Sequence, residues 1–133
     1  MNLDAQTHQM RYTEIPLPQA VVHYCVQYKI QHVIISAGSR NAPLTNGFVE
    51  PSFFITYSVV DERAAAFFAF GIAQQLGKPV ALFCTLGSQL LNYYPSEAEA
   101  FYSELPLVFL SADSMQPRVD IGNGQTIQKE GDV

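Results

Sequence analysis

Residues 55–85 read ITYSVVDERAAAFFAFGIAQQLGKPVALFCT. Residues 55–60 form a continuous apolar run of strand length. Asp61 and Glu62 then place acids where a helix would begin, and an Ala/Phe-rich stretch runs on to Leu76. Gly77 and the pair Lys78-Pro79 stop that helix. Residues 80–85 are a second apolar run without polar alternation. A strand apolar at every position is one buried on both faces, as in a parallel sheet, and strand–helix–strand is the unit that builds such a sheet.

The same pattern continues on both sides of this unit. Residues 32–36 and 107–112 read as further strands. Pro16-Leu17-Pro18 opens a helix with Val21, Tyr24, Cys25 and Tyr28 at helical spacing, and residues 89–104 read as a helix broken or kinked at Pro95. The aromatics Phe67, Phe68, Phe70, Tyr93, Tyr94, Phe101 and Tyr102 are expected to pack in a core or an interface, with no cofactor role. No repeat or linker interrupts the chain. The expected fold is a three-layer α/β/α sandwich with a mostly parallel sheet. Residues 1–13 are expected to be a polar, disordered segment and residues 14–133 a single α/β domain.

Composition removes several function classes. With 48% hydrophobic and 14% charged residues among 133, the chain is too apolar to be disordered. Seven Lys+Arg against twelve Asp+Glu give a net charge of −5, which neutralises neither nucleic-acid phosphates nor an anionic membrane. No apolar run is long enough for a membrane span, and the polar start lacks the apolar middle of a secretory signal, so a cytoplasmic location is expected. Cys25 and Cys84 lie far apart and are expected to be buried and reduced. His8, His23 and His32 fit no metal-ligand spacing, and no metal is assigned to this chain.

In parallel α/β sheets, sites form in the loops past the carboxyl ends of the strands. Those loops are residues 37–43, 61–62, 86–88 and 113–125. The first, Ala37-Gly38-Ser39-Arg40-Asn41-Ala42-Pro43, could present successive amides and the Arg40 fork to an anion. A tight turn with a solvated Arg40 is the plainer alternative. The GxxxxGK[ST] of a phosphate-binding loop is absent, and Gly122-Asn123-Gly124 lacks the third glycine of a dinucleotide fingerprint. Asp61 suits a helix cap. Glu62 suits the same helix start, or a proton-exchanging carboxyl beside an apolar strand end.

Four segments, in order, resemble one family. They are Ser36-Ala37-Gly38-Ser39-Arg40-Asn41-Ala42-Pro43-Leu44-Thr45, Asp61-Glu62-Arg63-Ala64-Ala65-Ala66-Phe67-Phe68-Ala69, Leu90-Leu91-Asn92-Tyr93-Tyr94-Pro95 and Asp120-Ile121-Gly122-Asn123-Gly124-Gln125-Thr126-Ile127. Together they are similar to the amino-terminal, pyrimidine-binding (Pyr) domain of SEPHCHC synthases. These 2-succinyl-5-enolpyruvyl-6-hydroxy-3-cyclohexene-1-carboxylate synthases are thiamine-diphosphate enzymes of menaquinone biosynthesis. The resemblance implies the thiamine-diphosphate-binding fold and a transferase that decarboxylates 2-oxoglutarate and adds the succinyl-semialdehyde unit to isochorismate. It implies that Glu62 hydrogen-bonds the cofactor's aminopyrimidine ring and promotes its imino tautomer, with Gly87 beside the cofactor. It implies Ser39, Arg40 and Gln125 as substrate-binding residues.

The resemblance also implies that magnesium and the cofactor's diphosphate belong to a separate carboxyl-terminal domain, so the 133-residue chain alone is expected to be inactive. Exposed domain interfaces lead us to expect self-association, as a homodimer. The chain departs from the family in three places. Thr85-Leu86-Gly87 stands where Thr-Ser-Gly is usual. Asp113-Ser114 stands where Asp-Arg is usual, with Arg118 four residues on, and Gln89, Ser96 and Glu97 are more polar than usual. The alternative reading is a non-catalytic α/β module with degenerate sites.

Overall fold

The structure, a computed structural model, describes residues 15–85 and 87–112. The two runs read first as buried strands lie at its centre. Strand β1, His32–Ile35, and strand β3, Val80–Thr85, pair in parallel with Val33 beside Ala81 and Ile35 beside Phe83. Strand β2, Ile55–Ser58, flanks β1, and β4, Leu107–Ala112, flanks β3, giving the order β2-β1-β3-β4 with every pair parallel.

Period-two alternation divides each central strand between two cores. Val33, Ile35, Ala81 and Phe83 face helices α1, Pro16–Gln27, and α2, Ala42–Val49, which contribute Val22, Cys25, Val26, Leu44 and Phe48. Ile34, Val80, Leu82 and Cys84 face α3, Glu62–Leu76. The short helix α4, Ser88–Leu91, and α5, Tyr94–Tyr102, follow β3 and complete that side. Helices on both faces of an all-parallel sheet give the expected sandwich. The two cysteines sit in opposite cores as free thiols, and burial alone pushes Cys25 up to about 11.

Several expectations are corrected by packing. The outer strands are not buried on both faces, because β2 and β4 flank the described sheet; Ile55 is half exposed. The strand expected over residues 55–60 ends at Ser58, leaving Val60 90% exposed in the turn before α3. On α1 the inward stripe is Val22, Cys25 and Val26, while Tyr24 and Tyr28 are exposed. The aromatic face of α3 is likewise peripheral. Its buried stripe is Ala65, Ala66, Ala69 and Ala73, whose small side chains bring the helix backbone close to β3, while Phe67 and Phe68 lean outward. Tyr94, Phe101 and Tyr102 are exposed as well, and of the seven aromatics only Tyr93 is fully buried. The break near Pro95 is observed: α4 ends at Leu91 and α5 opens at Tyr94 with the proline in its first turn.

Candidate functional site

In this strand order the chain leaves β1 toward β2 and leaves β3 toward β4. The two carboxyl ends therefore diverge, opening a crevice between them where such sheets bind ligands. Ser36, Gly38 and the turn Ser39–Asn41 line one wall, and Thr85 and Gly87 line the other. Glu62 enters at the same edge from the end of β2.

The first wall is shaped by Asn41, which the sequence reading did not single out. Its buried side chain turns back on the loop, Oδ1 accepting from the Gly38 amide at 3.0 Å and Nδ2 donating to the Ser36 carbonyl at 2.8 Å. The Asn41 amide in turn donates to the Gly38 carbonyl at 3.3 Å. The loop therefore spends two of its amides internally, and the anion-cradle reading narrows to Ser39, which is exposed, and Arg40, which is half buried. Among the described residues no acid pairs with the Arg40 guanidinium.

The walls meet at Gly38 and Thr85. A Cβ built on Gly38 would lie 2.5 Å from Thr85 Cγ2. Thr85 is β-branched, and both its amide and its hydroxyl donate to Gln89 Oε1, so it has no easy retreat. Gly38→Ala is expected to destabilise the fold by about 1–3 kcal/mol through overpacking. Thermal unfolding of the variant checks this, and an unchanged midpoint would mean that Thr85 yields freely. On the second wall, Gly87 turns the chain from β3 into α4 at φ 81°, a conformation that suits glycine alone.

The two acids at the start of α3 take different roles. Asp61 is the cap, its Oδ1 accepting from the Ala64 amide at 2.7 Å. Glu62, half buried, has no hydrogen-bond or ion-pair partner among the described residues. Beneath it lies a buried polar group that the sequence reading missed. The Tyr93 hydroxyl donates a long 3.4 Å bond to Ser36 Oγ, and Cys84 shares its core. Burial pushes Cys84 up to about 12, the Tyr93 hydrogen bond opposes the rise and the Glu62 charge adds to it. Burial likewise drives the Tyr93 hydroxyl far above its ordinary value, with Glu62 again contributing. Both groups stay protonated at physiological pH, so neither is a nucleophile there. The sequence signal for the tyrosine was slight: a phenol where a phenylalanine would pack equally well.

Glu62, Ser39, Arg40 and Gly87 thus share the carboxyl edge of the sheet, while Gln125, Leu86, Ser114 and Arg118 lie outside the described residues. An apolar groove of about 460 Å³ along α3, lined by His32, Phe68, Gly71 and Leu76 among others, is a separate feature. It reaches His32, at the opposite end of β1. Among the described residues no three His, Cys, Asp or Glu side chains cluster as metal ligands, and no helix is long and apolar enough to cross a membrane.

Comparison with known proteins gives this geometry a family context. Residues 16–132 match the family described as "Thiamine pyrophosphate enzyme, N-terminal TPP binding domain". The chain is 60% identical over 121 residues to 2-succinyl-5-enolpyruvyl-6-hydroxy-3-cyclohexene-1-carboxylate synthase from Flavobacterium psychrophilum, covering 91% of this chain and 22% of that protein. It is also 60% identical to the same-named protein from Christiangramia forsetii, covering 91% and 21%. The chain therefore spans about a fifth of the length of these relatives. Among solved structures, benzoylformate decarboxylase from Polynucleobacter necessarius superposes with a TM-score of 0.69 at 20% identity, over 82% of this chain and 20% of that one. At that identity the likeness shows the fold.

Proposed function

The chain belongs to the thiamine pyrophosphate enzyme family, as its N-terminal TPP-binding domain, and from that premise we propose that it is the pyrimidine-binding domain of a SEPHCHC synthase. On this reading the full-length protein decarboxylates 2-oxoglutarate and transfers the resulting four-carbon unit to isochorismate, as a homodimer in the cytoplasm. One observation carries the residue assignment. Asp61 caps α3, which leaves the Glu62 carboxylate without a partner among the described residues at the edge where such folds bind ligands.

The residues fit the pyrimidine half of thiamine diphosphate. A half-buried carboxyl with Val60 uncovered two residues before it offers one hydrogen bond beside apolar surface, as a flat aminopyrimidine needs. Glu62 shares a proton with the ring nitrogen, and the Gly87 turn, bare of a side chain, lets the backbone approach the ring. When bound, thiamine diphosphate supplies a carbon nucleophile for the 2-oxo group and accepts the electron pair released with carbon dioxide. Arg40 and Ser39 hold a substrate carboxylate at the rim, with Gln125 as a third polar contact. Magnesium and the diphosphate are held by groups outside the described residues, and the 133-residue chain alone is catalytically silent.

Calorimetric titration of thiamine diphosphate with magnesium into the full-length protein tests this reading. Saturable binding is expected, weakened about tenfold in Glu62→Gln by loss of one charge-assisted hydrogen bond. Equal affinity in both proteins would remove Glu62 from the site. Absence of binding in the parent would favour the non-catalytic module.

A further inference from the structure

Tyr93 is the largest fully buried side chain of the described residues, yet it sits in the turn between two short helices. From that turn it reaches three strands. Its ring packs against Phe109 of β4 with centroids 5.8 Å apart and shares a core with Cys84 of β3, and its hydroxyl reaches Ser36 just past β1. It also shares a core with Ala65 and Ala66, in the turn of α3 that follows Glu62. Three residues beyond Tyr93, the buried Ser96 hydroxyl donates to the Ala66 carbonyl at 3.0 Å.

These contacts are costlier than packing requires. A phenylalanine and an alanine would fill the same spaces without burying two hydroxyls, each of which must find a partner. What the hydroxyls add is direction. One ties the β1 loop to the turn between α4 and α5, and the other ties the first turn of α5 to α3 just past its first turn. Glu62 is the first residue of that helix, and its carboxyl has no partner of its own to hold it among the described residues.

We propose that Tyr93 and Ser96 are positioning residues for Glu62, a brace from the start of α5 that fixes the beginning of α3 against the crevice. The inference rests on the reading of Glu62 given above. It assigns to this brace a share of pyrimidine affinity, although neither residue touches the ligand. An acid held in place gives its hydrogen bond without an ordering cost at the moment of binding.

The experiment compares two probes on the full-length protein: thiamine diphosphate with magnesium, and magnesium diphosphate, which has no pyrimidine. Tyr93→Phe and Ser96→Ala are each expected to weaken thiamine diphosphate by roughly tenfold and to leave magnesium diphosphate unchanged. Val26→Ala, a destabilising change in the opposite core, should alter neither affinity. Because the brace acts through Glu62, Tyr93→Phe made in a Glu62→Gln background should cost no further affinity. Tyr93→Phe and Ser96→Ala with parental affinity would overturn the brace while leaving the Glu62 assignment standing. So would equal losses with both probes, an equal loss in Val26→Ala, or full additivity with Glu62→Gln. A Glu62→Gln protein with parental affinity for thiamine diphosphate would instead overturn the functional reading, and the brace with it.

Discussion

On the proposed reading, replacing Glu62 by glutamine in the full-length protein is expected to lower turnover of 2-oxoglutarate with isochorismate by about 10²–10⁴-fold, the usual worth of a positioned proton-exchanging group. Glutamine keeps the length of the side chain and a hydrogen-bonding amide, so the loss isolates proton exchange with the pyrimidine ring. The fold should hardly notice. The cap of α3 is the Asp61 carboxylate on the Ala64 amide, which the substitution leaves in place. Only the favourable placement of a negative charge at the helix start is lost, about 0.3–1 kcal/mol. Steady-state turnover and a melting curve measured on the same preparation decide the matter. Turnover within tenfold of the parent would refute proton exchange by Glu62. A collapse of the melting midpoint would make the acid a structural one.

That separation between neighbouring acids shows where the sequence was sufficient and where it was not. The sequence assigns Asp61 the cap, but for Glu62 it leaves a helix-start acid and a proton-exchanging carboxyl both open. The strand–helix–strand unit around them was legible because it depends on local pattern: the unbroken apolar runs, the Gly77 stop, the proline after it. The cap was legible too: Asp61 suits the helix cap in sequence, and its carboxylate accepts from the Ala64 amide. Asn41 and Tyr93 differ. Their hydrogen bonds could not be read from sequence, because the partners, Ser36 and Gly38 for one and Ser36 for the other, are chosen by tertiary placement.

The aromatics divide for a related reason. Phe67 and Phe68 are expected in a core or an interface; the close approach of α3 to β3 is set by alanines, and the larger rings lie on the flank, outside the core. Phe68 still meets Tyr57 edge-on at 5.2 Å, so the flank is an ordered surface and not a random one.

The second large effect lies on the opposite face. Phe83, fully buried in β3, stacks on Phe48 of α2 with centroids 5.5 Å apart, and Phe48 meets Phe54 edge-on at 4.9 Å. This row joins the central strand to the helix after the Ser39-Arg40 loop and to the turn that precedes β2. Phe83→Ala is expected to cost about 3–5 kcal/mol, from lost transfer energy and from a cavity that rigid neighbours cannot close. For a chain of this size the melting midpoint should fall by roughly 10–20 °C. Phe68→Ala, the same truncation on the exposed flank, should cost less than about 1 kcal/mol, as surface changes do. Thermal unfolding of the two variants side by side gives the contrast. Similar midpoints would mean that α2 is not anchored through Phe83, and the loop carrying Ser39 and Arg40 would then lack the rigid support that a substrate-binding wall requires.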